Sequence, residues 1–266
     1  MSDLVTYNVV GDVAHVVLNR PDKLNALTLD MLDELGRCAR RAAKDRSLRG
    51  VLLYGAGDSF SAGLDFGSTT KQVGRVLRTF VPRLFSGTAN GFQNPAWVWR
   101  SVPVPVIAVV TGHCFGGGLQ IALGADFRIV SADADFSIME AKWGLIPDMS
   151  ASASLSQLIG IDVAKKLTMT AEIFDASYAK QIGLVTEVAD NPHTAADALI
   201  AQISQRSPDA VASAKALFER TWERSSLWNF PIEQFLQMQL LRGKNSSIAR
   251  LAGLTRSVPE YVQRQF

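Results

Sequence analysis

The 266-residue chain is 47% hydrophobic and 20% charged, which is enough apolar material for one large domain or a domain with an appendage. Lys and Arg together number 27 against 25 Asp and Glu, so the net charge of +2 gives little support to nucleic-acid binding. The longest apolar run, around residues 102–110, is too short to span a bilayer and contains two prolines.

The N-terminus and the cysteines together indicate a cytoplasmic protein. The first residues alternate between apolar and polar, without the basic and continuous apolar segments of a signal peptide. Cys38 and Cys114 are the only cysteines, and two thiols without a secretory start are typical of a reduced compartment. We therefore expect a cytoplasmic location and no disulfide framework.

The first hundred residues predict a hairpin, a long helix, a buried strand and an irregular segment. In chain order the elements are strands at 5–10 and 13–18, a helix from 28 to about 44, a strand at 50–55, a loop at 58–66 and short helices with a mobile segment over 67–101. Gly11-Asp12 is a hairpin signal, and Thr28 is a plausible helix N-cap. The irregular segment is interrupted by Gly74, Pro82, Gly87, Gly91 and Pro95.

The remainder of the chain predicts further strand–helix units and then helices alone. In order these are a strand at 106–112, a helix at 119–126, a strand at 127–133, a short strand and turn within 135–147, helices at 151–170 and 175–182, a strand at 183–188, and helix from about 193 with breaks near Pro208, Pro231 and Gly243. The recurring order of strand, loop, helix and strand indicates an α/β protein built from stacked units.

A glycine-rich stretch, GHCFGGGLQ at residues 112–120, joins a buried strand to a helix. The first N–H groups of a helix have no intrahelical partner, and glycines let a ligand oxygen approach them without meeting a Cβ. The arrangement could bind a phosphate or a developing oxyanion. It matches neither the dinucleotide fingerprint nor the P-loop, and tight helix–strand packing is the alternative interpretation.

A second loop of small residues, FSAGLD at 60–65, also follows a buried strand. Residues 59–63 differ from the nucleophile elbow G-x-S-x-G only at the first glycine, which leaves an α/β hydrolase as an alternative. The three histidines of the chain, however, offer no triad partner in the expected late position. The loop FSAGLD is therefore interpreted together with the glycine-rich stretch at residues 112–120.

Four stretches in this order and spacing resemble the crotonase superfamily, also called the enoyl-CoA hydratase/isomerase family. They are NRPDKLNALT (19–28), FSAGLD (60–65), TGHCFGGGLQIALGADFRI (111–129) and MEAKWGLIPD (139–148). The resemblance covers nearly the whole chain. It implies a crotonase-like spiral of ββα units with an acyl-CoA site over residues 1–192, and a helical oligomerisation region over residues 193–266.

The resemblance also implies which residues contact the substrate. The backbone N–H groups of Leu64 and Gly117 would hold the thioester carbonyl oxygen in an oxyanion hole. The substrate-binding residues implied beside them are Lys23 and Ala26 near the CoA nucleotide, Ala62 and Asp65 in the first loop, Gln120 after the second, and Trp143 in the acyl pocket. Asp65 would brace its loop by accepting backbone N–H bonds. For Lys23 the residue type itself favours a solvated surface lysine over a contact with the nucleotide.

Three polar side chains decide the predicted chemistry. The family hydratases use two glutamates, and this chain has Gln120 at the first position and Glu140 at the second. A neutral amide can orient water but cannot accept its proton. Asp148 lies eight residues after Glu140, a spacing that resembles the dienoyl-CoA isomerases of the superfamily, so we assign Glu140 and Asp148 as catalytic. The alternatives are a packed Gln120, a surface or capping Glu140, and Asp148 as a helix N-cap.

The function that this pattern favours is an acyl-CoA enzyme that shifts a double bond, an enoyl- or dienoyl-CoA isomerase. The alternatives are an enoyl-CoA hydratase or related lyase that uses Glu140 with water held by Gln120, and a non-catalytic RNA-binding member of the family. We expect no metal and no cofactor, since coenzyme A is part of the substrate. We also expect no nucleic-acid or membrane partner, and a homotrimer or a hexamer made of two trimers.

Overall fold

The computed structural model describes residues 4–69, 72–80, 88–222 and 226–266, and it confirms the α/β class. Two β-sheets lie at its centre. The strands are β1 (Val5–Val10), β2 (Val13–Leu18), β3 (Gly50–Gly55), β4 (Val106–Val110), β5 (His113–Phe115), β6 (Phe127–Val130), β7 (Asp135–Ser137), β8 (Phe174–Asp175) and β9 (Glu187–Val188).

The larger sheet has six strands in the order β1-β2-β3-β4-β6-β9. The predicted hairpin is confirmed, with β1 and β2 antiparallel and Val10 paired with Val13 across the Gly11-Asp12 turn. All other pairs in this sheet are parallel. Every residue of β4 is buried, as expected for a central parallel strand covered on both faces.

The smaller sheet, in the order β5-β7-β8, explains the spiral. β5 follows β4 directly, and β7 follows β6, so each unit adds one strand to the large sheet and the next to the small one. Parallel pairing of His113 with Asp135 keeps the successive units in register. The stacking of units therefore agrees with the predicted architecture.

Helices cover both sheets. They are α1 (Leu29–Lys44), α2 (Phe66–Thr69), α3 (Val73–Phe80), α4 (Asn94–Trp97), α5 (Gly117–Leu123), α6 (Ala151–Ser156), α7 (Ile161–Thr170), α8 (Ala176–Gln181), α9 (Pro192–Ser204), α10 (Pro208–Thr221), α11 (Ser226–Arg242) and α12 (Lys244–Thr255). The predicted cap of α1 is confirmed, because Thr28 Oγ1 accepts a hydrogen bond from Met31 N at 3.2 Å. Within the described ranges, no helix is long and apolar enough to cross a membrane.

Several boundaries differ from the sequence prediction. The helix expected at 119–126 begins earlier, at Gly117, because the glycines themselves form its first turn. The helix expected at 151–170 is two helices, α6 and α7, separated by a segment that ends at Gly160. Only Glu187–Val188 of the strand expected at 183–188 pairs with the sheet.

The prolines of the C-terminal helices do not mark helix ends as the sequence predicts. The break predicted near Pro208 is present, but Pro208 starts α10 rather than ending a helix, since the first turn needs no proline N–H. The break predicted at Pro231 is wrong, because α11 continues through this residue and forgoes one backbone hydrogen bond. The break at Gly243 separates α11 from α12.

The irregular segment contains the short helices α2, α3 and α4, as expected. Pro95 lies in the first turn of α4 and so helps to start that helix instead of interrupting it. Pro82 and Gly87 lie outside the described residues. The predicted mobile segment also falls in part on these undescribed positions, 81–87.

From Pro192 onward the described chain has helices but no strand. The first of these helices, α9, packs on the large sheet, where Ile200 and Ala196 form a cluster with Leu52 and Ile107. Gly50 permits this approach, because a Cβ on it would lie 2.7 Å from Ile200 Cδ1. The predicted division of the chain at residue 193 therefore falls in the first turn of a helix that contributes to the core.

A buried lysine attaches α10 to the same core. Lys215 Nζ donates to Trp99 O at 2.9 Å, to Val104 O at 3.2 Å and to Asp126 Oδ2 at 2.6 Å. Asp126 Oδ2 also accepts from Val106 N, the first residue of β4. Burial lowers the pKa of Lys215, although Asp126 opposes this effect. The C-terminal helices are thus attached to the start of a central strand.

Replacing this lysine tests the attachment. Lys215→Met keeps the length of the side chain but removes the ammonium group that neutralises Asp126 and donates to two carbonyls. We expect it to lower the free energy of unfolding by about 3 to 5 kcal/mol, measured by urea denaturation. Lys166→Met is the control, because the Lys166–Glu172 ion pair is more exposed and its loss should change stability little. Equal changes in both variants would contradict the anchoring role of Lys215.

Candidate active site

A cavity of about 490 Å³ lies where the loops after β3 and β4 meet. Carboxyl ends of parallel strands are the usual place for a ligand in such sheets. Its walls consist of Ala62, Gly63, Leu64, Phe66, Thr69, Val76, Phe92, Gly116, Gly117, Gln120, Met139, Glu140, Trp143, Leu145, Asp148 and Met149. Another cavity, of about 460 Å³, lies near the amino ends of β4 and β6 and contains none of the predicted site residues.

Backbone hydrogen bonds join the two glycine loops. Ser61 N donates to His113 O, and Phe115 N donates to Ser61 O, each at 2.9 Å. Gly118 is needed for this contact, because a Cβ on it would lie 2.6 Å from Ser61 Cβ. Tight packing is therefore one role of the glycines, and it positions the neighbouring N–H groups.

The backbone N–H of Leu64 makes no hydrogen bond in the short β-bridge that surrounds it. A parallel bridge joins Leu27 to Leu64 through Leu27 N to Gly63 O at 2.8 Å and Asp65 N to Leu27 O at 2.9 Å. These two bonds use the groups on either side of the Leu64 N–H. Since Leu64 lines the cavity, its N–H is a candidate donor to a ligand oxygen.

Gly117 provides the second candidate donor. It is the first residue of α5, whose first intrahelical hydrogen bond runs from Gln120 N to Gly116 O at 3.0 Å. The N–H of Gly117 therefore has no acceptor within the helix. Gly116, with φ +49°, turns the chain into this position.

Asn25, which was not predicted as a structural residue, holds the first loop in place. It is fully buried, and its Nδ2 donates to Ala56 O at 2.9 Å and to Ser59 O at 2.7 Å. Its Oδ1 accepts from Arg20 N, and its carbonyl accepts from Ser61 Oγ. A signal existed in the sequence, because asparagine tolerates the left-handed backbone found here, with φ +52°.

Arg20 links the first loop to the turn before α1. Its Nη1 donates to Asp65 Oδ2 and to Ala26 O, both at 2.8 Å, and Ser68 N donates to Asp65 Oδ1. Burial opposes ionisation of Asp65, but the hydrogen bonds from Arg20 and Ser68 outweigh it and lower the pKa of Asp65. The carboxylate thus contacts the protein itself, and Lys23 is exposed on the same turn.

The Gln120 side chain is buried and hydrogen bonded at both ends. Its Nε2 donates to Glu140 Oε1 at 2.6 Å, and its Oε1 accepts from Met149 N at 2.8 Å. Only 2% of the residue is exposed. Gln120 therefore connects the helix after the second loop to both segments that carry acidic side chains.

Glu140 lies half-buried on a 3-10 helix, Met139–Trp143. Burial raises its pKa, and the Asp148 charge adds to this effect while the Gln120 hydrogen bond opposes it. No described group hydrogen bonds to its Oε2, which is buried. A Cβ on Gly116 would lie 3.3 Å from Glu140 Oε1, so that glycine makes room for the carboxylate.

Asp148 lines the cavity without capping a helix. The residue before α6 is Ser150, and no side chain caps that helix, so the predicted alternative of an Asp148 N-cap is not observed. Water reaches the Asp148 side chain, yet partial burial by the surrounding protein still raises the pKa of its carboxyl. Two acids with raised pKa values therefore share one cavity.

An aromatic pair forms part of the wall. The rings of Phe66 and Trp143 have centroids 4.8 Å apart, and Trp143 is 60% exposed. Phe66 follows the first loop and Trp143 follows Glu140, so the pair closes the space between the two segments.

The structure thus brings most of the predicted site residues together. Those that line the cavity are Ala62, Leu64, Gly117, Gln120, Glu140, Trp143 and Asp148, and those outside its lining are Lys23, Ala26 and Asp65.

A spiral of α/β units that pairs two glycine loops over an acid-lined cavity is the architecture of the crotonase superfamily of enzymes. The chain matches the enoyl-CoA hydratase/isomerase family over residues 9–254. It belongs to that family.

Named relatives include both isomerases and hydratases. The mitochondrial Delta(3,5)-Delta(2,4)-dienoyl-CoA isomerase of Rattus norvegicus is 34% identical over 218 residues, which cover 76% of this chain and 64% of the rat protein. The chain thus matches less than two thirds of the length of that relative. The short-chain-enoyl-CoA hydratase of Clostridium acetobutylicum is 35% identical over 216 residues, covering 79% of this chain and 78% of the relative.

Solved structures of relatives share the fold over nearly the whole chain. An enoyl-CoA hydratase from Mycobacterium smegmatis superposes with a TM-score of 0.86 at 27% identity, covering 97% of this chain and 98% of the other. An enoyl-CoA hydratase from Bacillus anthracis gives 0.87 at 25% identity, with coverage of 97% and 98%. These similarities establish the superfamily but leave the choice of reaction to the residues of the site.

Removing the Asn25 amide tests the support of the first loop. Asn25→Ala leaves the carbonyls of Ala56 and Ser59 without this donor, and we expect a loss of about 2 kcal/mol or more in the free energy of unfolding. Chemical denaturation measures this loss. Asn8→Ala, on the exposed edge strand β1, is the matched control and should change stability by less than about 0.5 kcal/mol. A wild-type stability for Asn25→Ala would refute the role given to the amide.

Proposed function

We propose that the protein is an acyl-CoA isomerase that stabilises a thioester enolate and moves a double bond along the acyl group. One observation carries this proposal. Glu140 and Asp148 line the same cavity as Leu64 and Gly117, while the residue at the position of a second glutamate is a hydrogen-bonded glutamine. Two proton carriers and two N–H donors are the groups that a double-bond shift needs.

The N–H groups of Leu64 and Gly117 would both donate to the thioester carbonyl oxygen, which would lie between them. Loss of a proton next to the thioester, or further along a conjugated chain, places negative charge on that oxygen. Donors that are already oriented stabilise this charge without reorganisation, and each is typically worth about 3 kcal/mol. The parallel backbone β-bridge between Ser61 and Cys114 fixes both loops and so supports this assignment.

Glu140 and Asp148 would move the protons. Ionised Glu140 removes a proton from one carbon, the electron pair enters the conjugated system, and a proton is delivered to another carbon by Asp148 or by Glu140 itself. The product has the composition of the substrate, so neither water nor a redox cofactor takes part. Burial that raises the pKa of both acids brings them closer to the working range of a proton carrier.

The coenzyme A portion would enter as part of the substrate. Its nucleotide end is assigned to the exposed turn that carries Lys23 and Ala26, next to the first loop. The acyl end is assigned to the wall formed by Phe66 and Trp143. The name of the rat relative, a dienoyl-CoA isomerase, agrees with this choice of substrate class.

An enoyl-CoA hydratase is the second candidate, favoured by the Clostridium relative of that name. In that reaction Glu140 would act with a water held by Gln120. The Gln120 amide, however, already bonds Glu140 and Met149, and this engagement favours the isomerase.

A panel of enoyl-, dienoyl- and 3-hydroxyacyl-CoA thioesters, with products identified by mass and double-bond position, tests the reaction. We expect Glu140→Gln to lower kcat by roughly 10²- to 10⁴-fold with little change in ligand affinity. Asp148→Asn is expected to reduce kcat by a comparable factor without loss of stability. If the wild type hydrates crotonyl-CoA rapidly and Glu140→Gln does so at the same rate, both the proposed reaction and the assignment of Glu140 as its base are wrong.

Assembly into a trimer or a dimer of trimers is part of the proposal. Phe218, Trp222, Phe230 and Phe235 expose large apolar surfaces on α10 and α11, whereas the side chain of Trp228 lies outside the described residues. We expect light scattering at micromolar concentration to give a mass that is a multiple of three chains. A stable monomer would remove this part of the proposal.

A further inference from the structure

Gln120 stands where the family hydratases have a glutamate, but its amide donates to Glu140 and accepts from Met149 N. We infer that Gln120 is a positioning residue, which holds the Glu140 carboxyl by its Oε1 atom and so sets the orientation and the pKa of that acid. The inference rests on the proposed function in one respect, that the proton comes from the substrate. The contacts themselves do not depend on the reaction.

The orientation of the Gln120 amide follows from its neighbours. Met149 N is a backbone N–H and can only donate, so the atom that faces it at 2.8 Å is the amide oxygen. The NH₂ group must then face Glu140 Oε1, at 2.6 Å. The opposite orientation would set a donor against a donor and an oxygen against a carboxylate, so the Met149 N–H fixes the amide.

This orientation makes the two oxygens of Glu140 unequal. Oε1 accepts a hydrogen bond from Gln120 in a space that a Cβ on Gly116 would restrict. Oε2 has no hydrogen-bond partner among the described groups. Oε1 is therefore the oxygen through which Gln120 fixes the carboxyl, whereas the buried Oε2 is fixed by no hydrogen bond from the described residues. The orientation of the Glu140 carboxyl thus depends on its bond to Gln120.

The same amide also fixes the second acid. Met149 directly follows Asp148, and its N–H bond to Gln120 ties the Asp148 backbone to α5. Met149 is 3% exposed, and its Sδ lies 2.9 Å from where a Cβ on Gly117 would be. One buried side chain therefore sets the positions of both proton carriers relative to the N–H of Gly117.

A glutamate could not take this role unchanged. One of its oxygens would accept from Met149 N, and the other would face Glu140 Oε1, where two carboxylates must share a proton. A neutral amide leaves Glu140 as the one titrating group of this contact. The N–H that Gln120 donates favours the ionised form of Glu140 and so opposes the rise in its pKa that burial causes.

Gln120→Met is the principal test, because methionine has a similar length and no N–H. We expect kcat/KM to fall by about 10²-fold, since a displaced reactive group commonly has this effect. Loss of the donor raises the pKa of Glu140, and Glu140 acts as a base only above its pKa. The acid limb of the pH profile of kcat/KM therefore moves to higher pH. Gln181→Met, exposed at the end of α8, is the matched control and should change neither quantity.

A measurement without substrate separates this inference from the proposed function. The pKa of Glu140 is read from its protonated-carboxyl infrared band, which is assigned by its loss in Glu140→Gln. We expect a higher pKa in Gln120→Met than in the wild type, whichever thioester the enzyme uses. Absence of isomerisation by the wild type would refute the proposed function but would leave this comparison intact.

Gln120→Glu covers the case in which the methionine variant fails to fold, because glutamate keeps the shape and the bond to Met149 N. We expect it also to raise the pKa of Glu140, now through repulsion between the carboxylates. If Glu140 keeps its wild-type pKa in every folded variant at position 120, Gln120 is only a packed side chain and the inference is wrong.

Discussion

The close contact between the two glycine loops is the constraint on which the rest of the site depends. It requires a residue without a side chain at Gly118, because Ser61 occupies the space that a Cβ would fill. The bridge between Ser61 and Cys114 then sets the distance between the loops. Among the described residues, the N–H groups of Leu64 and Gly117 have no backbone acceptor as a result of this geometry, so the proposed anion-binding position would need no side chain to create it.

The pKa values of the acids in and beside the cavity depend on their burial and their hydrogen-bond partners. Asp65 bonds Arg20 and Ser68, which lower its pKa and make it a structural carboxylate. Burial raises the pKa of Glu140, although the neutral amide of Gln120 donates a hydrogen bond that opposes this effect. The surroundings of these two carboxylates thus shift their pKa values in opposite directions.

Much of this arrangement could be predicted from the sequence, because it depends on local pattern. The hairpin at Gly11-Asp12, the cap at Thr28 and the strand β4 follow from turn chemistry, side-chain oxygens and apolar runs. The contacts of Asn25 and Gln120 could not, since each joins segments distant in the chain and a polar residue type does not identify its partners. Pro231 failed as a helix breaker because tertiary packing can outweigh the loss of one hydrogen bond.

The parallel register of the large sheet has a consequence for how the molecule folds. Val51 pairs with Val106, so β3 and β4 come together only after a long intervening segment has been closed into a loop. Such non-local pairing is slow, because the entropy of loop closure precedes any gain from contacts. Both glycine loops extend from these two strands. The cavity can therefore form only once β3 and β4 have paired, and a chain arrested before that step would lack the space between the two glycine loops.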